Sequence, residues 1–434
     1  MHPKKKEKYI SRLIEIVDGA TSTLNAKVKI PRPRTDGSSG FALDDGLCEK
    51  RSAIISDLLK KDGWIRKYSQ EYLEKQVDHI VSKNVGTPDN SGIATMFSDL
   101  CDKYSQFASE TTVLIPLDGI ALKTPELKLG KIRLFTVTDE YLSKMRADAA
   151  AISEMADADM DTVSKKESLD RTNEMINQFS NTVCAERTVV AESTRAQEIA
   201  REELRLTVAI LNFLADALTP RFFETRVGIK GEFFRGLQLE LTRANDSIRW
   251  AQTVVGPKAP LVIDEKALKL IDDLKISTLA DLATEAKFDA TKTFEGTILT
   301  ALHFHSHARE LPDPADKLLS LITAIEAFFE TSQKSIAATI ASGCALVLCN
   351  KIDDRIKMKT LVKKLYGLRS SISHHGERTV LKQEINELSV ISWQLICFAI
   401  QDKARFKDKK EFNLWVEKLE LGLRNELSLL EFRK

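Results

Sequence analysis

The residues best equipped for chemistry lie in one short stretch, KKLYGLRSSISHHG at positions 363–376. Arg369 stands five residues ahead of His374, His375 follows at once, and Gly376 closes the run. An arginine keeps its charge at every working pH, and its planar fork matches phosphate oxygens. A histidine takes up and releases protons near neutrality. Together they are a minimal set for cutting RNA without a metal or other cofactor. The 2′-OH needs a base, the leaving 5′-oxygen an acid, and the phosphorane charge a cation. One chain supplies one well-matched histidine. Two chains meeting along this segment would supply two histidines and two arginines. The chemistry therefore predicts a composite homodimer site. His374 would act as base from one protomer and acid from the other, with both copies of Arg369 steadying the phosphate. The products would carry 2′,3′-cyclic phosphate and 5′-OH ends. The plainer alternative is a structural helix terminus whose arginine satisfies carbonyls.

The segment must be placed by a helix, and the spacing is awkward for one. Positions five apart on an ideal helix point about 140° from each other. Ser370, Ser371 and Ser373 are indifferent helix formers and Gly376 is a natural stop. The helix is therefore expected to end or distort near Ser373, letting His374 swing toward Arg369 or across an interface. His375 points away from His374 and is the substitute proton carrier or a solvated cap. Tyr366, one turn before Arg369, either packs or hydrogen-bonds a phosphate. Lys363 and Lys364 add local charge. From Lys351 to Arg378 eight basic residues of this run face only three acidic ones, Asp353, Asp354 and Glu377, a local net of +5. That suits a polyanion, although a solvated helix face has the same composition.

The whole chain is far less basic. Its 434 residues include 64 Lys and Arg against 63 Asp and Glu, a formal charge of +1, so bulk charge does not hold it on nucleic acid. The length suggests about two to three domains. Six scattered cysteines form no CxxC pair, and the basic start, MHPKKKEKYISRL, lacks a following apolar signal segment. The most apolar run, 388–400, is shorter than a membrane span. These features predict a cytoplasmic protein without a membrane segment.

Helical patterns cover 7–20, 50–62, 69–82 and 93–109, separated by a loop at 31–40. The period changes at 111–136, where alternating apolar residues and turn signals at Asp118-Gly119 and Leu129-Gly130 read as a small β meander. A mostly helical stretch at 139–181 leads to a strand at 184–191 and a long amphipathic helix at 193–218, ending before Pro220. A short strand at 226–230 follows. Gly256-Pro257 and Pro260 mark the expected boundary between an N-terminal α+β region, 1–255, and a helical region, 256–434. Beyond it, helices are expected at 265–273, 287–307, 315–331, 335–350, 358–373, 381–400 and 412–430. The last has Leu414, Leu419, Leu423 and Leu430 as its apolar face. The fold class is mostly α.

The helical region resembles the HEPN superfamily, most closely its ApeA-like branch. Residues 316–330 (DKLLSLITAIEAFFE) look like the first core helix of that branch, with Glu326 in its acidic position. Residues 335–348 look like its second helix. Residues 361–377 (LVKKLYGLRSSISHHGE) look like the tyrosine-containing helix that carries R-x4-H, and 390–400 like the closing helix. The core would span about 312–405. The resemblance implies a bundle of four to five helices that dimerises face to face. It implies a metal-independent endoribonuclease of the toxin or anti-phage kind, held off until a phage-derived or protein trigger meets the N-terminal region. It also favours His374 over His375. Relatives often carry Asn, Asp or His straight after the arginine, whereas this chain has Ser370. Glu326 either orients Arg369 or a histidine or is simply a polar residue near a bundle end. A catalytically inactive HEPN-like dimerisation or RNA-binding module is the alternative.

Other constellations are weaker. His303, His305 and His307 form HxHxH, and on a helix only His303 and His307 share a face, with Glu310 one turn beyond. That is short of a metal's three or four ligands. Asp157, Asp159 and Asp161 mimic the start of a calcium loop, but Thr162 and Ser168 stand where glycine and glutamate belong. No Walker loop, GxGxxG or GxSxG is present.

Overall fold

Tyr9, Leu13, Ile16 and Val17 recur at three- and four-residue intervals, and the segment carrying them is the first helix, α1 (Pro3–Gly19), with all four side chains buried. The computed structural model describes residues 3–22, 30–32, 41–61, 63–86, 91–103, 108–155, 162–218, 225–232, 236–244, 247–255, 259–283, 293–330, 336–376 and 379–422. The chain forms two compact units. One is Met1–Val113 with Arg187–Glu202, the other Leu114–Glu186 with Glu203–Lys434.

In the first unit α1 leads to a small antiparallel sheet of β1 (Thr21–Ser22), β2 (Ile30–Arg32) and β3 (Phe41–Leu43), with β3 central. Helices α2 (Asp45–Lys61), α3 (Gln70–Asn84) and α4 (Ser91–Lys103) pack with α1 around Leu13, Ile16, Leu58, Val77 and Phe97. The loop expected at 31–40 opens with the end of β2, and positions 33–40 lie outside the described residues. Arg51 is buried among these helices, its Nε and Nη2 donating to the two carboxylate oxygens of Asp78 at 2.6 and 2.9 Å. A guanidinium removed from water needs that two-pronged partner.

The expected strands follow as β4 (Ser109–Asp118), β5 (Ile120–Leu122), β6 (Glu126–Leu129) and β7 (Ile132–Thr136). Helices α5 (Asp139–Met155) and α6 (Thr162–Asn177), strand β8 (Val183–Ala191), helix α7 (Ser193–Leu218) and strand β9 (Gly228–Ile229) come next. The strands do not make a simple meander. The sheet order is β6-β7-β8-β4-β9, so β8 separates β7 from β4. A cross-strand charge pair helps fix this: Arg133 of β7 grips Glu186 of β8 with two bonds of 2.9 and 3.0 Å, and the Tyr141 hydroxyl donates to the same carboxylate. Asp157, Asp159 and Asp161 lie outside the described residues.

A hairpin of β10 (Gly236–Ala244) and β11 (Ser247–Val255) occupies ground where no strand pair was expected. Strand β12 (Leu261–Ile263) then pairs in parallel with β5. The boundary expected near 255 thus falls inside the second unit, and Gly256-Pro257 lie outside the described residues.

The remainder is helical: α8 (Glu265–Asp273), α9 (Ile276–Ala283), α10 (Phe294–Glu310), α11 (Pro314–Glu326), α12 (Ile336–Leu348), α13 (Ile352–His375), α14 (Lys382–Gln401) and α15 (Lys409–Glu420). Helix α11 packs on α10 and α14, and α13 on α12 and α11. The proline-marked break starts α11 sharply. The Asp313 carboxylate accepts from the backbone of Ala315 and Asp316, and Pro314 occupies the first turn, where no backbone donor is needed. Aromatic rings close the far side of the bundle, with Phe412 in contact with Phe294, Phe328, Phe406 and Trp415. The buried face of α15 is therefore Phe412, Trp415, Val416 and Leu419, and Leu414, expected on the apolar face, is 51% exposed. Leu423 and Leu430 lie outside the described residues. The chain is mostly α, with its strands before the helical bundle, and among the described residues no helix is long and apolar enough to cross a membrane.

Phe412 is fully buried among these rings. Phe412→Ala is expected to lower the unfolding free energy by about 3–5 kcal/mol, read as a shift in the denaturant midpoint at constant slope.

Candidate functional site

Helix α13 carries the whole R-x4-H segment, and its ends explain why it is long. Asp353 and Asp354 sit in its first turn, where the helix dipole favours negative charge. Arg355 reaches back and donates from Nε to the Cys349 carbonyl at 2.8 Å, tying α13 to the end of α12. At the other end Gly376 adopts φ 69°, a left-handed turn suited to glycine, and its N–H bonds the Ile372 carbonyl at 3.2 Å. The helix therefore does not end or distort near Ser373. It runs unbroken through His375. Serine propensity is worth only tenths of a kcal/mol, and the burial of Val362, Leu365, Tyr366 and Ile372 outweighs it. In consequence Arg369 and His374 stay about 140° apart around one helix. A swing of the histidine within one chain is not available to join them.

Arg369 faces the edge of the bundle core. It is half-buried, and its guanidinium carbon lies 5.5 Å from the centre of the Tyr366 ring. Tyr366 packs: it is buried, and its hydroxyl donates to Glu326 Oε1 at 2.7 Å. Glu326, expected to orient Arg369 or a histidine, instead binds the tyrosine that lies against Arg369. Burial, reinforced by the Glu326 carboxylate, pushes the Tyr366 phenol up to about 12. Lys409, a residue with no sequence signal for this role, donates from Nζ to the Glu326 backbone carbonyl at 3.3 Å.

The outer face of α13 carries the other candidates. Ile352, Ile356, Lys363, Gly367, Ser370 and His374 fall within a wedge of about 60° on an ideal helix. Ile352 and Ile356 are 66% and 58% exposed, Lys363 and His374 are exposed, and Ser370 is half-buried. A side chain built on Gly367 would meet nothing within 4 Å, so another backbone can approach closely there. Lys364 is engaged elsewhere, in a 3.0 Å ion pair with Glu384, whose carboxylate also accepts the Leu381 N–H at the start of α14. The His375 side chain, Glu377 and Arg378 lie outside the described residues.

The HxHxH residues divide as a helix requires. His303 and His307 stack with parallel rings 6.2 Å apart, and His307 Nδ1 lies 3.7 Å from Glu310. Among the described residues no group of three or more His, Cys, Asp and Glu is arranged to hold a metal. His305 points the other way and is buried. Its Nε2 bonds Asp216 Oδ2 at 2.9 Å and its Nδ1 bonds Ser392 Oγ at 3.0 Å. These are the residue types of a serine nucleophile, but His305 and Ser392 are each only 1% exposed, so no substrate reaches the hydroxyl. The arrangement joins α7, α10 and α14. Arg309 also pairs with Asp216 and donates to the carbonyls of Asn212 and Thr225. Burial alone would raise the Asp216 carboxyl. The His305 hydrogen bond and the Arg309 charge outweigh it and hold the carboxyl below its usual range.

Compared with known proteins, the chain matches no family model, no curated protein and no solved structure.

Because the folded phenol of Tyr366 ionises near 12 and an unfolded one near 10, its contribution to stability is complete below about pH 10 and is lost as pH rises toward about 12. The unfolding free energy of the wild type should therefore fall across that window, and that of Tyr366→Phe should fall less. At neutral pH the same substitution is expected to cost about 1–2 kcal/mol, because Glu326 loses its donor.

Proposed function

We propose that this chain is a HEPN-type endoribonuclease that cuts RNA by 2′-OH attack at a site completed by two copies of α13. The observation that carries the reading is the outer stripe of that helix. It sets an exposed proton carrier, His374, one turn from Ser370 and two from the bare backbone of Gly367, on a stripe that runs back through Lys363 to two exposed isoleucines. Apolar side chains followed by a glycine suit a helix–helix seam better than a solvated face. In the reading proposed, the long Arg369 side chain leaves the Tyr366 ring and reaches round α13 from the core edge to this seam, where His374 of the other protomer meets it, a meeting that the unbroken helix denies within one chain. In the cycle proposed, one His374 takes the 2′ proton, the other protonates the leaving 5′-oxygen, and the guanidinium of Arg369 offsets the phosphorane charge. Glu326 and Tyr366 act on Arg369 by holding the surface it lies against. Lys363 and the exposed Lys351 and Lys357 add attraction for the RNA backbone. A conditional toxin or anti-phage effector is the biological role proposed, with residues before the bundle restraining it until a phage-derived or protein trigger arrives. That role rests on the HEPN resemblance of residues 316–400.

A second reading has its own support. Arg369 lies against Tyr366, and Ser370 replaces the stronger polar group usual after the arginine in this family. Both suit a HEPN-like dimerisation or RNA-binding module without catalysis.

End-labelled RNA incubated with the purified full chain in EDTA separates the two. Cleavage should persist in EDTA and leave 2′,3′-cyclic phosphate ends. His374→Ala and Arg369→Ala should each reduce it at least about 100-fold without changing the melting temperature. Cutting retained in both variants would sink the mechanism, and salt-sensitive RNA binding without cutting would favour the second reading. Gly367→Leu should block close approach of the two helices. The expected result is a shift toward monomer in sedimentation together with loss of cleavage.

A further inference from the structure

The second unit also holds a cavity of about 290 Å³ at one end of the five-stranded sheet. That volume is near the lower end of the ~300–1,000 Å³ of small-molecule sites. Four chain segments meet there: 117–120, where β4 turns into β5; 181–183, entering β8; Lys230, just after β9; and Ala259 with Pro260, before β12. Backbone constraints hold the frame. Gly119 adopts φ 74°, and a Cβ there would overlap the Arg226 carbonyl oxygen. Asn181 adopts φ 53°, a left-handed conformation that asparagine tolerates, and its N–H bonds the Val137 carbonyl at 3.2 Å. Leu117, Ile120 and Val183 are buried and supply an apolar part of the wall.

Three polar side chains on this wall have no protein partner. Asp118 is half-buried and Asn181 and Lys230 are exposed, and among the described residues no hydrogen bond or ion pair engages any of the three side chains. The ladder explains why the two charges do not meet. Asp118 stands opposite Gly228 in the β4–β9 pair, and the Lys230 N–H bonds the Pro116 carbonyl at 2.9 Å. Asp118 and Lys230 are therefore diagonal neighbours on one face, about 7–8 Å apart at the backbone, with a glycine beside them that fills none of the space.

Opposite charges that share a cavity without pairing define the ligand. A simple anion would satisfy Lys230 and be repelled by Asp118, and a simple cation the reverse. A ligand carrying both charges satisfies both. An α-amino acid has them one carbon apart, and a charge-assisted bond of about 2.7–2.9 Å on each side reaches across the diagonal.

We infer that this cavity binds a free α-amino acid as its zwitterion. Asp118 accepts from the ammonium group, Lys230 and the Asn181 carboxamide donate to the carboxylate, and a small aliphatic side chain rests on Leu117, Ile120 and Val183. The site is separate from the α13 stripe and stands whether or not the chain cuts RNA.

The test begins with a thermal-shift screen of the full chain against the L-amino acids, followed by calorimetric titration of the best. One saturable site with Kd below about 1 mM is expected, with alanine, valine or leucine preferred. The N-acetyl derivative of that amino acid lacks the ammonium charge and its amide lacks the carboxylate, and each should bind at least about tenfold more weakly. Asp118→Asn should erase the preference over the N-acetyl derivative, and Lys230→Gln the preference over the amide. Arg369→Ala should leave all three affinities unchanged. If Asp118→Asn fails to fold, as judged by circular dichroism, Lys230→Gln carries the test, since Lys230 is exposed. The inference is overturned if no amino acid binds below about 1 mM, if the blocked derivatives bind as well as the parent, or if the folded variants weaken all three ligands alike. Loss of binding in Arg369→Ala overturns it as well.

Discussion

One hydrogen bond, from the Tyr366 hydroxyl to Glu326, sets the terms for the rest of the bundle. It joins the end of α11 to the middle of α13 at a point where both groups have lost most of their water. A carboxylate in that position needs a donor, and a buried phenol needs an acceptor. The pair fixes the rotation of α13 about its own axis, and that rotation decides which residues face solvent. With Tyr366 turned inward, Arg369 is drawn to the core edge and His374 is left outside. Lys409 extends the same junction to α15 through the Glu326 carbonyl.

A second polar junction is centred on α10. His305 bridges Asp216 of α7 and Ser392 of α14, and Arg309 adds a charge that keeps the aspartate ionised. Buried polar groups specify partners in a way that apolar contacts do not, because any other register leaves them unsatisfied. The α10 face that does not enter this junction carries His303, His307 and Glu310, which line a cavity together with residues of α7 and β9. One helix thus has a locked side and an open side, produced by histidines two residues apart.

Much of the architecture could be read from the residues alone. The apolar spacing of 193–218 and the proline at 220 delimit α7 as expected. Pro314 and Asp313 announce α11, and Gly376 announces the end of α13. The misreadings have physical causes. The serines near 370 suggested a break because local propensity was weighed without the packing that overrides it. Leu414 was placed inside because leucine and aromatic residues both count as apolar, whereas the larger rings of Phe412 and Trp415 take the core. The hairpin of β10 and β11 was missed despite the alternation of Leu237, Leu239 and Leu241, which is visible in the sequence. The candidate site itself was legible only as a list. Tyr366 and Glu326 are 40 residues apart, and His305 and Asp216 are 89. Nothing local reveals pairings at such separations.

The way the chain is shared between its two units has a consequence for dissection. The backbone passes from one to the other after Val113, after Glu186 and after Glu202. Two of these crossings fall inside strands β4 and β8, and the third falls inside helix α7. No single cut therefore separates the units. A fragment beginning at 256 would contain every residue of the R-x4-H helix, yet it would lack Asp216 and leave His305 buried without its carboxylate. Removing a buried partner in this way is costly. The helical region is a part of this molecule that can be drawn on a sequence but not lifted out of it. Any assay of the R-x4-H helix therefore calls for the full chain.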